Sequence, residues 1–202
     1  MAVVSGGTTL IDNGALDAGV PTGSLILLST QTASASASIE FTSDIDSTYD
    51  SYVFKFINCH PATNQSAFDF QASTDGGSTY ATTLTSTVFF AQHNENDAGT
   101  KFEYNTGEDS AQSTSFQTLF FNTGSDADES GSGTLTIYNP SSTTFVKHFI
   151  SRCHNNHYAD RTGDIYVAGY FNTTSSIDAI KFQFNNGNID SGKIKLYGIK
   201  GD

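Results

Sequence analysis

Two aromatic segments, residues 52–57 and 68–73, constrain the fold of this chain most. In both, apolar and polar residues alternate, which is the period of a β-strand with one buried side. The residues that share the predicted buried sides are Tyr52, Phe54, Phe56, Phe68, Phe70 and Ala72. The residues on the opposite sides are Val53, Lys55, Ile57, Asp69, Gln71 and Ser73.

Turn formers follow each of these segments. Pro61-Ala62-Thr63-Asn64 stands between them, and a proline is not accepted in the interior of a central strand. Asp75-Gly76-Gly77 follows the second segment and supplies residues that readily adopt positive φ angles. The sequence therefore predicts a turn after the first strand and a tight hairpin after the second.

Similar segments recur along the chain, separated by Gly, Asn, Asp and Pro turns. They number about ten to twelve, and no helix-length segments stand between them, which argues against a parallel α/β sheet. The sequence predicts an all-β fold, an antiparallel β-sandwich of jelly-roll type with two four-stranded sheets and extra strands, over residues 24–202. Its predicted core includes Phe54, Phe56, Phe68, Phe70, Phe182, Phe184, Ile194 and Leu196. In the last two strands, Lys181, Gln183, Lys193 and Lys195 are predicted on the opposite, outer side.

Residues 1–23 differ from the rest and are predicted to form an extended N-terminal arm. They are rich in Gly, Thr and Asp and carry four isolated apolar residues, Leu10, Ile11, Leu16 and Val20. These are too sparse for a core, but they suit an arm that lies on a neighbouring subunit and adds strand hydrogen bonds there. A disordered terminus is the alternative.

The charge balance limits the partners of the chain. Nine Lys and Arg stand against 21 Asp and Glu, giving a formal net charge of −12. Such a surface repels nucleic acids and anionic membranes, so neither is expected as a partner. No basic residue precedes Lys55, whereas Lys181, Lys193, Lys195 and Lys200 lie near the C-terminus. The acidic N-terminal part and the basic C-terminal part of the chain are expected to pair, either within one subunit or across a subunit interface.

The N-terminal residues show neither a basic region nor an apolar stretch of signal-peptide length, and no segment is apolar enough to span a membrane. Synthesis in a cytosol is therefore expected. The Ser- and Thr-rich composition nevertheless resembles that of an extracellular surface protein. A protein of a virus particle, made in the host cytoplasm, satisfies both observations.

The cysteine and histidine residues form one concentration that could hold a metal ion. Cys59, Cys153, His154 and His157 are a possible zinc set, although no CxxC motif is present. Neighbours on a strand point to opposite faces, so Cys153 and His154 would both bind the ion only at a strand end. Buried free thiols and a disulfide formed after release from the cell are the other interpretations. No cofactor is expected.

Acidic residues in turns are the other candidates for chemistry. Asp44, Asp46 and Asp50 lie close enough for calcium, but the EF-hand glycine and distal glutamate are missing, and aspartate is common in turns. Residues 124–133 are predicted to form an exposed mobile loop. No GxSxG, HExxH or phosphate-binding glycine motif occurs, so an enzyme is not expected. The alternative is a pair of carboxylates that acts as in a glycosidase.

Residues 73–80, STDGGSTY, resemble an Asp-box, the SxDxGxT-aromatic turn of sialidase propellers. Tyr80 stands where that motif usually has Trp, and one copy is present. In the Asp-box the aspartate and serine side chains hold the turn and do not catalyse. The resemblance therefore implies a turn and no sialidase activity.

Three segments together resemble a family of virion proteins of tailed bacteriophages. They are Tyr49-Asp50-Ser51-Tyr52, the stretch from Pro61 through the STDGGSTY segment, and the ending Ser191-Gly192-Lys193-Ile194-Lys195-Leu196-Tyr197-Gly198-Ile199. Similar patterns occur in tail-associated, fibre-like and capsid-surface proteins. The resemblance covers residues 39–202 and implies a jelly-roll sandwich with a structural or host-recognition role. It implies no catalytic residues.

The sequence thus favours a non-enzymatic phage structural protein, a capsid-decorating (cement) or fibre subunit. Homotrimers are common among phage surface jelly rolls, so the chain itself and other virion proteins, in particular the major capsid protein, are its expected partners. A carbohydrate-binding module for glycans of the host surface is the rival interpretation, and a glycan hydrolase is the third.

Overall fold

The structure, a computed structural model, describes Val3–Ser5, Thr8–Asp12, Ala15–Leu16 and residues 25–199. All regular secondary structure in these residues is β-strand, so no described helix is available to cross a membrane. The strands in chain order are β1 Val3–Ser5, β2 Thr8–Asp12, β3 Ala15–Leu16, β4 Leu25–Ser36, β5 Ile39–Phe41, β6 Ser51–Pro61, β7 Ser66–Ser73, β8 Leu84–Asn94, β9 Thr100–Tyr104, β10 Gln117–Thr123, β11 Gly131–Tyr138, β12 Lys147–His157, β13 Arg161–Phe171, β14 Ala179–Phe184 and β15 Ile189–Ile199.

The strands from β4 onward form two layers in which neighbours run antiparallel. The large sheet has the order β4-β15-β6-β11-β12-β13-β8-β9, and the small sheet has the order β5-β14-β7-β10. A pairing of Thr123 with His157 joins β10 to β12 at the boundary between the layers. The predicted all-β antiparallel sandwich is confirmed.

The connectivity is that of a jelly roll. The chain alternates between the layers as it passes from β4 through β5, β6 and β7, and again from β10 through β11, β14 and β15. This gives four-stranded units β4-β15-β6-β11 and β5-β14-β7-β10, the arrangement of two interlocked Greek keys. The insertions β8-β9 and β12-β13 extend the large sheet beyond β11, so eight strands lie on one side and four on the other.

Aromatic side chains fill the space between the sheets. The ring centroid of Phe182 lies 5.1 Å from those of Phe54 and Phe56, and Phe70 lies 5.2 Å from Phe149. These contacts join strands of the small sheet to strands of the large one. The predicted core is confirmed, because its members are all buried in one cluster: Phe54, Phe56, Phe68, Phe70, Phe182, Phe184, Ile194 and Leu196.

Strand β7 differs from the prediction because both of its sides are buried. The face predicted to carry polar residues outward does carry Asp69, Gln71 and Ser73, but each is covered. The Gln71 amide donates to the carbonyls of Thr114 and Ser115, at 3.1 and 2.8 Å. The segment that leads into β10 therefore lies over this face, and alternation along β7 alone does not show that cover.

The turn after β7 has the predicted backbone but not the predicted role. Gly76 and Gly77 have φ angles of 71° and 85°, in the region that favours glycine. However, β7 belongs to the small sheet and β8 to the large one, so the turn does not close a hairpin. The hairpin prediction was wrong because a turn former fixes a change of direction and not the partner of the next strand.

The prediction of a mobile loop over residues 124–133 was also wrong in part. Strand β11 begins at Gly131, which is buried against Phe120. The preceding residues form a bonded turn in which the Glu129 carboxylate accepts the Asp126 N–H at 2.7 Å. Glycine at the start of β11 is needed for close packing and does not mark mobility.

The predicted arm contains three short strands, which sequence analysis does not predict. Strands β1, β2 and β3 pair antiparallel into a three-stranded sheet of their own, with β2 in the middle. Of the arm residues singled out for interaction, Leu10 and Ile11 belong to β2 and Leu16 to β3. Val20 lies outside the described residues.

Candidate functional site

The structure separates the four residues of the possible zinc set. Cys59, Cys153 and His157 are buried, whereas His154 is exposed on the opposite face of β12. His154 Nε2 lies 2.6 Å from the Thr162 hydroxyl, and His157 Nδ1 accepts the N–H of Ala159 at 3.1 Å. Alternation along β12 sets this division, since Cys153 and His154 are neighbours in the middle of the strand and not at its end.

The two cysteines are free thiols with a strand between them. In register, Cys59 pairs with Gly131 and Cys153 pairs with Gly133, so β11 lies between the two residues. Two strand spacings amount to about 9–10 Å, and a disulfide needs Cα atoms within about 7 Å. A bridge between them would require movement of the backbone. Burial raises the pKa of each thiol to about 12, which suppresses the reactive thiolate.

The acidic turn that follows β5 is held by its own hydrogen bonds. Asp46 Oδ1 accepts the Thr48 N–H at 2.7 Å and the Tyr52 hydroxyl at 3.0 Å. The hydrogen bonds from Thr48 lower the pKa of the Asp46 carboxyl. Asp44 has a φ of 65°, a turn conformation that aspartate tolerates. Within the ranges that the structure describes, no group of three or more His, Cys, Asp or Glu side chains could hold a metal ion.

The segment that resembles an Asp-box is bonded as a turn. Asp75 Oδ1 accepts the Ser73 hydroxyl at 2.6 Å and the Thr79 N–H at 2.8 Å, and these bonds lower the pKa of Asp75. Ser73 Oγ in turn accepts the Gly77 N–H at 3.0 Å. The Tyr80 hydroxyl donates to Glu40 at 3.2 Å and so ties the turn to β5. These side chains are occupied with holding the turn.

Two of the segments that carry the phage resemblance form one packing unit. Strand β15 pairs with β6, which places Gly198 opposite Tyr52. A Cβ on Gly198 would lie 2.5 Å from the Tyr49 ring, and this ring meets that of Tyr52 edge to face at 5.8 Å. The glycine of the closing segment therefore makes room for the tyrosine of the first. Packing between β6 and β15 is therefore sufficient to explain these residues.

The outer face of the large sheet is the most exposed apolar feature of the described chain. Alternation predicts polar residues on such a face, but here strand register brings large apolar side chains onto it: Leu25, Leu27, Ile57, Phe89, Phe102, Tyr104, Tyr138 and Ile150. Phe102 is the most open, at 74% exposure. Several large exposed apolar side chains on one face are typical of interaction sites.

The apolar face also carries basic side chains. Lys55, Lys193, Lys195 and Arg152 point to the same side, because each alternates with residues that are buried in the core. Sequence analysis assigns the side of Lys193 and Lys195 correctly. It does not predict that β12, β13, β8 and β9 continue this sheet. It therefore misses Tyr166 as the neighbour of Arg152, and Phe89 as the neighbour of Tyr166.

Comparison with protein-family models, with curated proteins and with solved structures found no match to this chain. Proposals for its function therefore rest on its residues and their geometry. The open clefts between loops are polar, as in the one of about 370 Å³ beside the Asp75 turn. The outer face of the large sheet is the stronger candidate, because it combines exposed rings with unburied cations.

Proposed function

We propose that the chain is a non-enzymatic structural subunit of a bacteriophage particle, of the capsid-decorating (cement) or fibre type. The observation that carries the proposal is the jelly-roll order of the strands, a fold found in viral capsid proteins and lectins. The resemblance of residues 39–202 to phage virion proteins supports the same assignment. The exposed apolar face of the large sheet supports a protein that works by contact with other surfaces.

The proposal predicts that the protein is a stoichiometric component of purified particles. Quantitative mass spectrometry of gradient-purified virions should find it at a copy number comparable with that of other surface proteins. The major capsid protein in the same sample gives the reference for copy number. Absence from the particles, or presence only in trace amounts, would overturn the proposal.

Attachment to the particle is assigned to the N-terminal arm. Deletion of residues 1–23 should leave the sandwich folded, because the core residues in the described part of the chain lie from Ala33 onward, and should abolish incorporation into particles. The measurement is the copy number of truncated protein in virions, with circular dichroism as the check that the sandwich is folded. Incorporation at the full copy number would show that the sandwich itself makes the attachment.

A homotrimer is the assembly that we propose for the subunit. The spaced apolar residues Leu10, Ile11, Leu16 and Val20 suit an arm that lies on a neighbouring copy. Light scattering on the full chain at micromolar concentration should give three times the mass of 21.6 kDa. A stable monomer under those conditions would remove the trimer.

A further inference from the structure

A single row of side chains crosses the outer face of the whole large sheet. Each strand contributes one residue, and the pairing places these residues side by side on the same face. From one edge of the sheet to the other, the row consists of Thr30, Lys195, Lys55, Thr134, Arg152, Tyr166, Phe89 and Tyr104. Two lysines and two threonines make up its first half, and Arg152 followed by three aromatic rings makes up its second. The row contains no carboxylate. We call it the basic–aromatic row.

The aromatic half of the row is ordered and accessible. The rings of Phe89 and Tyr166 stack with centroids 4.8 Å apart and planes 5° apart. The Arg152 guanidinium lies over Tyr166, 5.0 Å from the ring centroid. Phe89 is 37% exposed and Tyr104 is 48% exposed. Aromatic side chains of this kind offer a rigid apolar surface with a polar hydroxyl group at the edge.

Asp164, which lies beside the row on β13, fixes the cation that joins the two halves. Its carboxylate accepts hydrogen bonds from Arg152 Nε at 3.0 Å and Nη2 at 2.8 Å, and from the Tyr166 hydroxyl at 3.1 Å. The guanidinium keeps further N–H donors that these bonds do not use. The groups that flank the stacked rings are therefore held in place before any ligand arrives.

The basic half of the row has an electrostatic cost. Lys55 and Lys195 lie directly opposite each other on β6 and β15, and like charges in that position destabilise a sheet. Lys193 lies two residues away on the same face. In the part of the chain that the structure describes, none of the three lysines forms a salt bridge. This concentration of cations stands out on a chain with a net charge of −12.

We propose that the basic–aromatic row binds an acidic polysaccharide, a chain of sugar rings that carry carboxylate or sulfate groups. Phe89 and Arg152 cover the two faces of the Tyr166 ring, so the apolar C–H groups of a sugar would pack on the exposed parts of Phe89 and Tyr104. Its acidic groups would neutralise the opposed lysines. The row crosses eight neighbouring strands, about 34 Å at about 4.8 Å for each strand spacing, and this length suits an extended polymer. This function is additional to the proposed role in the particle and does not depend on it.

Two other occupants fit the face less well. Duplex DNA carries about one negative charge per 1.7 Å, and the three cations of the row do not match that density on a chain of net charge −12. A second copy of the chain is acidic overall and could therefore approach the lysines. Its binding would give no reason for the exposed aromatic rings beside the fixed Arg152 guanidinium. Both occupants are outcomes of the test below.

The test measures binding of defined oligosaccharides to the full chain by isothermal titration calorimetry. The probes are hexasaccharides of galacturonate, of a sulfated disaccharide repeat and of an α2,8-linked sialic acid, with maltohexaose as the neutral control. At least one acidic probe should bind, more tightly than maltohexaose and more weakly as salt rises. No binding of any acidic probe at millimolar concentration overturns the proposal, as does equal binding of maltohexaose.

Matched variants locate the site. The double substitution Lys55→Gln and Lys195→Gln should weaken binding at least tenfold, and Tyr166→Ala should weaken it by a similar factor. The control Lys101→Gln with Lys181→Gln removes the same charge from lysines that form ion pairs with Glu103 and Glu40, outside the row. Circular dichroism and thermal melting confirm that each variant is folded. Equal losses in the two double variants would show attraction to overall charge and overturn the proposal.

Two further readouts exclude the other occupants. An oligothymidylate of similar charge should bind more weakly than the best acidic hexasaccharide, and tighter binding would assign the row to nucleic acid. The mass of the protein in solution should be unchanged by Lys55→Gln with Lys195→Gln. A loss of oligomers in that variant would assign the face to contacts between copies. Retained binding in Tyr166→Ala would overturn the role of the rings.

Discussion

Substitution of Phe182 by alanine is expected to destabilise the protein by about 3–5 kcal/mol, the range for removing a large buried aromatic side chain. Phe182 lies on β14 of the small sheet and is fully buried. Its ring meets those of Phe54 and Phe56 from the large sheet and lies parallel to that of Phe68 at 5.9 Å. The loss therefore opens a cavity where the two sheets are packed together, and rigid neighbours fill it incompletely.

Urea denaturation followed by circular dichroism measures this effect, and the melting temperature should fall by roughly 6–20 °C for a chain of this length. Phe182→Leu should have a smaller effect, since it keeps much of the buried apolar volume. Phe145→Ala serves as the matched control, because Phe145 is 69% exposed. It should change the free energy of unfolding by less than about 0.5 kcal/mol. A loss below about 1 kcal/mol at Phe182 would contradict this description of the core.

The buried side of the sandwich could be predicted from the sequence because burial follows a period of two along each strand. In β15 the prediction placed Ile194 and Leu196 inside and Lys195 outside, and the structure agrees. The same reasoning holds for Phe182 and Lys181 in β14. Alternation is a local property, so the buried side of a strand can be predicted without knowing which strands become its neighbours.

Features that depend on distant parts of the chain could not be predicted in this way. Asp69 and Gln71 alternate with phenylalanines as exposed residues would, but both are buried: Gln71 bonds to the segment before β10, and Asp69 bonds to Thr118 in β10. The two insertions into the jelly roll provide another example. The stack of Phe89 on Tyr166 depends on pairing between β8 and β13, which are separated by more than sixty residues. The basic–aromatic row exists only after eight strands have been set in register.

The polar residues of β7 lead to the second large effect, which depends on pH. Burial raises the pKa of the Asp69 carboxyl from its ordinary value of 3.8 to about 7, with the nearby Glu108 carboxylate acting in the same direction. The hydrogen bond that Asp69 Oδ1 accepts from the Thr118 hydroxyl at 2.8 Å opposes this shift. Opposite Asp69 on β14 lies Gln183, which carries no charge to stabilise the carboxylate.

The sign of the effect follows from this direction. The folded protein holds the Asp69 proton at pH values where the unfolded chain has released it, so the contribution of this group to stability falls as pH rises from about 4 to about 7. A shift of this size corresponds to about 4 kcal/mol at pH 8, at 1.36 kcal/mol for each pKa unit. His157 acts in the opposite direction, because burial lowers its pKa and stability is gained as it loses its proton. Wild-type data alone therefore mix the two groups.

Asp69→Asn separates them, because an asparagine of the same shape keeps an oxygen that can accept the Thr118 bond and never ionises. The variant should have nearly wild-type stability at pH 4 and should exceed the wild type by up to about 4 kcal/mol at pH 8.

Urea denaturation of both proteins at steps of one pH unit gives the difference in their free energies of unfolding, in which the contribution of His157 cancels. Phe145→Ala, which removes an exposed side chain that does not ionise, is the control and should give a difference that does not vary over this range. If the difference between Asp69→Asn and the wild type were also constant from pH 4 to pH 8, Asp69 would ionise equally in the folded and unfolded chains. Its burial beside Thr118 would then carry no penalty.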